Sequence, residues 1–424
     1  MKNHLLKLVT FCTLIIIFLL SYSHLFAQEK KISNTTVDSQ TEKIILPKPY
    51  ETKSVVNNTQ VIGWKDGKMP IAPAGFIVSK FADGFKNPRW IYASPNGDLF
   101  VCESSTGPLS ANQITILRDT DKDGKYDFRE IFLSNQKKPF GMLVLGNYFY
   151  VANTDALMRY PYKSGQNNIS ETGKKIVDLP AGGYNNHWTR NIIASPDGKK
   201  ILISVGSGSN NGENGMDKEV RRANILEVNP DGTDEKIYAA GLRNPVGMDY
   251  YPGSSTLWTA VNERDELGDN LVPDYMTSVK REGFYGWPYA YFGANEDPRM
   301  KGQRPDLVEK TIVPDVALGS HTASLGFTFY KENSFPAKYK NGAFVGQHGS
   351  WNRTELSGYK VVFVPFKDGK PNGKPEDFLT GFIEDSEKSR VHGRPVGVTI
   401  ISDGSLLVAD DSSNTIWQVS AITK

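Results

Sequence analysis

Cysteine is nearly missing from this chain: Cys12 and Cys102 are the two present in 424 residues. No disulfide framework can be built from them, so the fold must hold together by burial or by a bound metal. Net charge is small as well. Lys and Arg number 49 against 47 Asp and Glu, leaving +2, which gives no general electrostatic reason to bind nucleic acid. Sustained helical periodicity is absent, and so are the signatures of several common enzyme classes. Gly206-Ser-Gly-Ser-Asn-Asn-Gly212 follows a strand-like run, but its last glycine is misplaced for a dinucleotide loop and no helix pattern follows. There is no phosphate-binding P-loop, no Gly-x-Ser-x-Gly elbow, no His-Glu-x-x-His and no Cys-x-x-Cys-His for an attached haem.

Apolar runs of membrane length are also lacking, with one short exception at the start. Lys2 and Lys7, the run Leu8–Leu20 and Leu25-Phe26-Ala27 before Gln28 form a secretory signal peptide over residues 1–27. The run is shorter than the roughly 20 residues of a spanning helix; a retained anchor is the alternative. The expected location is exported, periplasmic or extracellular, with no stable membrane span after signal removal. Cleavage leaves Cys102 unpaired, in the strand-like Asp98–Glu103, where a buried small hydrophobe is expected. Residues 28–70 are polar with Pro47 and Pro49, and read as a linker or loosely docked arm.

What is abundant is turn chemistry and aromatic side chains: 39 Gly, 24 Pro and 11% aromatics. One phrase recurs: a polar loop with Arg or Pro, an apolar strand, a glycine turn and a second apolar strand. Asn87–Val101, Thr189–Ile203, Arg243–Trp258 and Arg394–Val408 are clear copies; Pro139–Val151 and Leu325–Val345 are weaker ones. The turn glycines Gly97, Gly146, Gly198 and Gly253 are 49, 52 and 55 residues apart. Hairpins repeating at about 50 residues predict an all-β, six-bladed β-propeller over residues 71–424. A two-sheet sandwich would not repeat at this period.

In a propeller the loops entering each innermost strand ring the central channel. Arg89, Arg190, Arg243 and Arg394 share that repeat position, and His187, His321, His348 and His392 lie in such loops. Converging guanidinium groups need an anion or acidic side chains to answer them. The expectation is an axial pocket for a planar polyanion with a histidine base beside it; each residue taken singly could merely satisfy loop carbonyls. A second motif is Asp119-Thr-Asp121-Lys-Asp123-Gly124-Lys-Tyr-Asp127-Phe-Arg-Glu130. Its oxygen donors at positions 1, 3, 5, 9 and 12 with glycine at 6 follow a calcium loop, here between strands rather than helices. A structural ion held by Asp119, Asp121, Asp123, Asp127 and Glu130 is expected, the alternative being a solvated acidic turn.

Together, His187-Trp-Thr-Arg-Asn, Gly241-Leu-Arg-Asn-Pro, Tyr285-Gly-Trp-Pro288, Gly346-Gln-His-Gly-Ser-Trp-Asn-Arg353 and Gly393-Arg-Pro-Val-Gly resemble the pyrroloquinoline quinone (PQQ)-dependent soluble sugar dehydrogenases, more closely the sorbosone dehydrogenase branch. The resemblance runs from about Gly75 to Val419. It implies a six-bladed propeller with PQQ and Ca2+ on its axis, oxidising a sugar or aldehyde and passing electrons to an external acceptor. It makes His187 the general base and places Arg243 over the quinone oxygens. Arg190, Asn244, His348, Arg353 and Arg394 are then cofactor contacts, and the backbone carbonyls of Asn262 and Glu263 hold the cofactor calcium. The chain departs from the glucose-oxidising pattern at Val246 and Val396, where that pattern has glutamine and a second arginine. The family's cofactor-binding lysine falls near His348-Gly349, so His348 or Arg353 takes its place. A smaller or differently shaped alcohol or aldehyde hydrate than glucose follows. The competing reading is a calcium-stabilised propeller that binds carbohydrate or a protein without redox chemistry. A lactonase ranks last, since the clearest acid cluster sits at a hairpin.

Overall fold

Five of the repeat turns close on glycines in left-handed backbone, with φ of 91° at Gly97, 58° at Gly146, 68° at Gly198, 72° at Gly253 and 83° at Gly404. Such turns join adjacent antiparallel strands without splaying them. The chain, a computed structural model describing residues 34–422, thereby forms six antiparallel sheets, the blades of a β-propeller. The segment 1–27 read as a signal peptide, Cys12 included, lies outside the described residues.

The first blade holds Pro88–Ala93, Leu99–Glu103, Gln113–Arg118 and Phe128–Leu133, and the second Gly141–Leu145, Tyr148–Ala152, Ala156–Pro161 and Lys174–Asp178. The third holds Ile192–Ala194, Ile201–Val205, Asn224–Val228 and Lys236–Ala240, with Gly283–Phe284 added in parallel at its outer edge; the fourth, Pro245–Tyr250, Leu257–Val261, Pro273–Ser278 and Val316–Ser320. Ser324–Phe329, Ala343–Gln347, Lys360–Val364 and Glu376–Leu379 make the fifth. The sixth is built from both ends of the chain: Pro395–Ile400, Leu406–Asp410 and Thr415–Ala421 are completed by Phe76–Ala82, with Val419 opposite Val78 and Ala421 opposite Phe76. This pairing ties both ends of the chain into one sheet and closes the ring, with Phe76–Ala82 as the outer edge strand of the last blade.

Innermost strands approach so closely that side chains are excluded at fixed points. A Cβ on Gly247 would stand 2.5 Å from Phe327 N, and one on Gly397 would stand 2.8 Å from Arg89 O. This is why Pro-Val-Gly recurs at two inner-strand starts. Beneath the cavity, Val246, Leu325 and Val396 join Trp90, Phe140 and Met142 in a buried apolar cluster. Cys102 is fully buried in the same cluster.

Residues 34–70 lie against the propeller. Thr35–Asp38 and Lys43–Leu46 pair as a hairpin, with Leu46 buried against the fourth blade. Gln60–Val61 then pairs in parallel with Arg390–Val391, and Trp64 reaches the side of the sixth blade.

Candidate active site on the propeller axis

The inner-strand entrances and the ends of the second strands meet at one end of the axis around a cavity of about 200 Å³. Its lining includes Arg89, His187, Asn244, Asn262, Asp265, His321, His348 and Arg394. Leu325 supplies an apolar floor, and Trp351 stands at the rim, 42% exposed.

His187 is held in one orientation. Its Nδ1 lies 2.9 Å from both the carbonyl oxygen and the hydroxyl of Ser207. That hydroxyl donates to Ser209 O at 2.6 Å. Since a carbonyl can only accept, Nδ1 carries the proton and Nε2 keeps its lone pair. Burial, reinforced by Arg243, holds the imidazole well below its ordinary pKa. His187 is therefore a neutral base with a free Nε2. Its loop is fixed by Arg190, which is fully buried and donates to His187 O and Thr189 O, both at 2.8 Å, and to Pro180 O at 2.7 Å. Arg190 thus supports the cavity from behind without lining it.

Arg243 is fully buried and saturated. Nε donates to Asn210 O at 2.9 Å, Nη1 to Asn262 O and Glu263 O at 3.1 and 2.6 Å, and Nη2 to Asn210 Oδ1 at 2.8 Å and Asp265 at 3.4 Å. These contacts use the five N–H groups a guanidinium has. Arg243 is consequently a brace under the cavity, with no donor left over for a quinone oxygen. The same contacts bear on the calcium expected at Asn262 and Glu263. A guanidinium N–H stands where a cation would approach these two carbonyl oxygens, and calcium needs six to eight oxygens. The arrangement does not fit a calcium ion at that pair.

Arg394 differs from its neighbours. Its Nε donates to His348 O and Nη2 to Gly349 O, each at 2.9 Å, and it forms no ion pair among the described residues. Arg89, by contrast, is paired with Asp411, which also accepts from His348 Nε2 at 2.9 Å. Burial opposes ionisation of Asp411, but His348 and Arg89 outweigh it and hold the carboxyl far below its usual range. Burial, then Arg394, brings His348 down to about 4, so this imidazole is neutral. His321 faces acceptors on both sides, Asp265 Oδ1 at 3.0 Å and Gly268 O at 2.9 Å. Both nitrogens therefore donate and the ring is charged; burial alone would lower its pKa, but Asp265 raises it. Among the residues lining the cavity, the cations Arg89, Arg394 and His321 stand against the acid Asp265, with Asp411 pairing Arg89 from behind, so the lining carries excess positive charge. Two buried polar atoms there lack partners, Asn244 Oδ1 and Arg89 Nε. Excess charge, an apolar floor and unspent polar atoms fit a flat polyanionic ring system such as PQQ.

Among the remaining expected residues, Arg353 lies away from the cavity and bonds Asn270 Oδ1 at 3.0 Å. In the hairpin loop, carboxylate oxygens of Asp119, Asp121 and Asp123 lie within 4.8 Å of one another. Asp127 instead accepts from the backbone and hydroxyl of Thr120 at 2.9 and 2.6 Å, and Glu130 is exposed on the following strand. Asp265, Asp411 and Trp351 were not anticipated. The two acids had a signal, since acids stand at or just beyond the end of the second strand in three blades, at Glu103, at Glu263 and Asp265, and at Asp410-Asp411; Trp351 had none.

These features define a cationic axial site on a six-bladed propeller, and the chain belongs to the TrAA12-like family, which it matches over residues 70–282 and 298–421. It is 31% identical over 360 residues to an uncharacterized protein of Borreliella burgdorferi, covering 82% of this chain and 89% of that one. It is 22% identical over 405 residues to a pyrroloquinoline quinone-dependent pyranose dehydrogenase of Coprinopsis cinerea, covering 81% of this chain but about half, 53%, of that protein's length. The holo PQQ domain of Coprinopsis cinerea pyranose dehydrogenase superposes with a TM-score of 0.71 at 20% identity, covering 85% of this chain and 98% of that domain. No helix among the described residues is long and apolar enough to cross a membrane.

Proposed function

We propose that this chain is an exported PQQ-dependent dehydrogenase that oxidises a sugar or aldehyde hydrate, an aldose or a sorbosone-like aldosulose, and passes electrons to an external acceptor. One observation carries the reading: the guanidinium of Arg394, which forms no ion pair among the described residues, shares a cavity with a neutral His187 whose Nε2 is free. Arg394 binds a carboxylate of the cofactor, where a charge-assisted hydrogen bond is strongest. Asn244 Oδ1 accepts a hydrogen bond from it, and Leu325 packs under its plane. When bound, PQQ supplies the two-electron acceptor for the hydride leaving the substrate carbon. His187 Nε2 would take the proton from the oxygen of the hydroxyl that this carbon bears, while Ser207 holds Nδ1–H and stabilises the imidazolium that results. Val246 and Val396, both buried, leave no polar group where the glucose-oxidising pattern has two, which supports a substrate other than glucose.

Calcium enters this reading at the hairpin, where Asp119, Asp121 and Asp123 hold a structural ion. A non-redox propeller that binds carbohydrate or protein is the second reading, and one observation favours it: Arg243 has no N–H left to stabilise a reduced ring. Titrating PQQ into the mature protein and following dye reduction with a panel of sugars and aldehydes separates the two. Saturable PQQ binding with sugar-dependent turnover supports the dehydrogenase; no binding leaves the scaffold reading.

A further inference from the structure

Resting on the quinone reading for its ligand, we infer that the N-terminal arm is a working part of the anion pocket, with Trp64 and Thr59 acting as positioning residues for Arg394. The arm's polar composition hides two anchors. Trp64 stacks on His392, with ring centroids 4.7 Å apart, and meets Phe382 and Trp417 edge-on. Its indole N–H donates to Asp410 Oδ2 at 2.9 Å, while Asp410 Oδ1 accepts the backbone N–H of Arg394 at 2.8 Å. Asp410 is fully buried, so each donor it receives is costly to lose. Its carboxylate also fills the space beside Gly393, where a Cβ would stand 1.9 Å from it. Trp64 therefore fixes the backbone from which Arg394 projects.

The second anchor acts on the side chain. The Arg394 guanidinium lies over the Tyr359 ring, 5.5 Å from its centroid. Tyr359 OH donates to Ser350 O at 2.7 Å and lies 3.2 Å from Thr59 Oγ1 in the arm. Between the anchors, Gln60–Val61 pairs with Arg390–Val391, and Gly63 O accepts from His392 Nδ1 at 2.8 Å. A guanidinium held by two carbonyls and one ring face depends on such support for its direction, and a displacement of about 1 Å is enough to spoil binding geometry.

The test is a double-mutant cycle in the full chain, using Trp64→Phe, which keeps the ring and removes the N–H, and Thr59→Val as a second variant. PQQ affinity is read by fluorescence quenching, and amide exchange is followed in the peptide containing Arg394. The expected result is a threefold to tenfold weaker PQQ Kd for each arm variant, no further loss when either is combined with Arg394→Ala, and faster exchange at Arg394 in Trp64→Phe. Equal loss in both backgrounds shows that the arm acts elsewhere and overturns the inference. If the unaltered protein binds no PQQ, the function reading fails by itself. Exchange then decides the positioning claim, and unchanged exchange at Arg394 overturns it.

Discussion

His187 illustrates how burial sets a residue's chemistry. The proposed role requires a neutral base at physiological pH, and desolvation beside Arg243 favours one by disfavouring the imidazolium. Substituting His187 with Ala should lower turnover by about 10²- to 10⁴-fold and leave PQQ affinity within twofold, since Arg394 and the cavity floor are untouched. Steady-state dye reduction and a PQQ titration check the two halves separately. Because the folded pKa is lowered, the competent form persists as pH falls past 6.5 and is lost only further down. The acid limb of kcat/KM should thus lie well below pH 6.5, and a limb near 6.5 would show that His187 is not the group titrating. Glu263 runs the other way: burial raises its carboxyl to about 7. It is held protonated in the folded protein, so its contribution to stability is full below the ordinary carboxyl range and is lost as pH rises through 7. Glu263→Gln should then gain about 2–4 °C in Tm at pH 8.5 relative to the parent, and little at pH 5, in calorimetry at both pH values.

At the scale of elements, the blades were readable because each repeats one hairpin with one turn chemistry, and inner-strand glycines mark the close backbone approaches. Direction was not readable. Arg190, Arg243 and Arg394 share a repeat position, yet the first two are turned into the loops behind the cavity and only Arg394 keeps a guanidinium in it without an acid partner. Position along a strand entrance follows from the repeat; where a long side chain points depends on which carbonyls lie nearby. The arm was opaque for a related reason, because Leu46 closes the short run Ile44-Ile45-Leu46 and Trp64 follows Val61-Ile62-Gly63, each too brief to show a periodicity. The acidic hairpin is the clearest separate element. Calcium should raise Tm by a few degrees in the parent and not in Asp121→Asn, as differential scanning fluorimetry with and without chelator would register. Equal shifts in both proteins would place the ion elsewhere.

Across the whole molecule, the ring fastens itself by pairing Phe76–Ala82 with Thr415–Ala421, and the arm preceding that strand runs on to the axial face. Closure holds six entrances in register, so charges hundreds of residues apart meet in one cavity. Excess positive charge there is tolerable because Asp265 and Asp411 answer part of it, and the remainder is what an anionic ligand would neutralise. Replacing Arg394 with Ala removes a cavity guanidinium that has no acid partner among the described residues, while Arg89→Ala removes one already neutralised by Asp411. The most direct measurement is therefore PQQ affinity of the mature protein and these two variants, by titration at fixed ionic strength. Saturable binding, weakened at least tenfold by Arg394→Ala and far less by Arg89→Ala, is the predicted result; absent binding, or equal loss in both variants, would contradict the account.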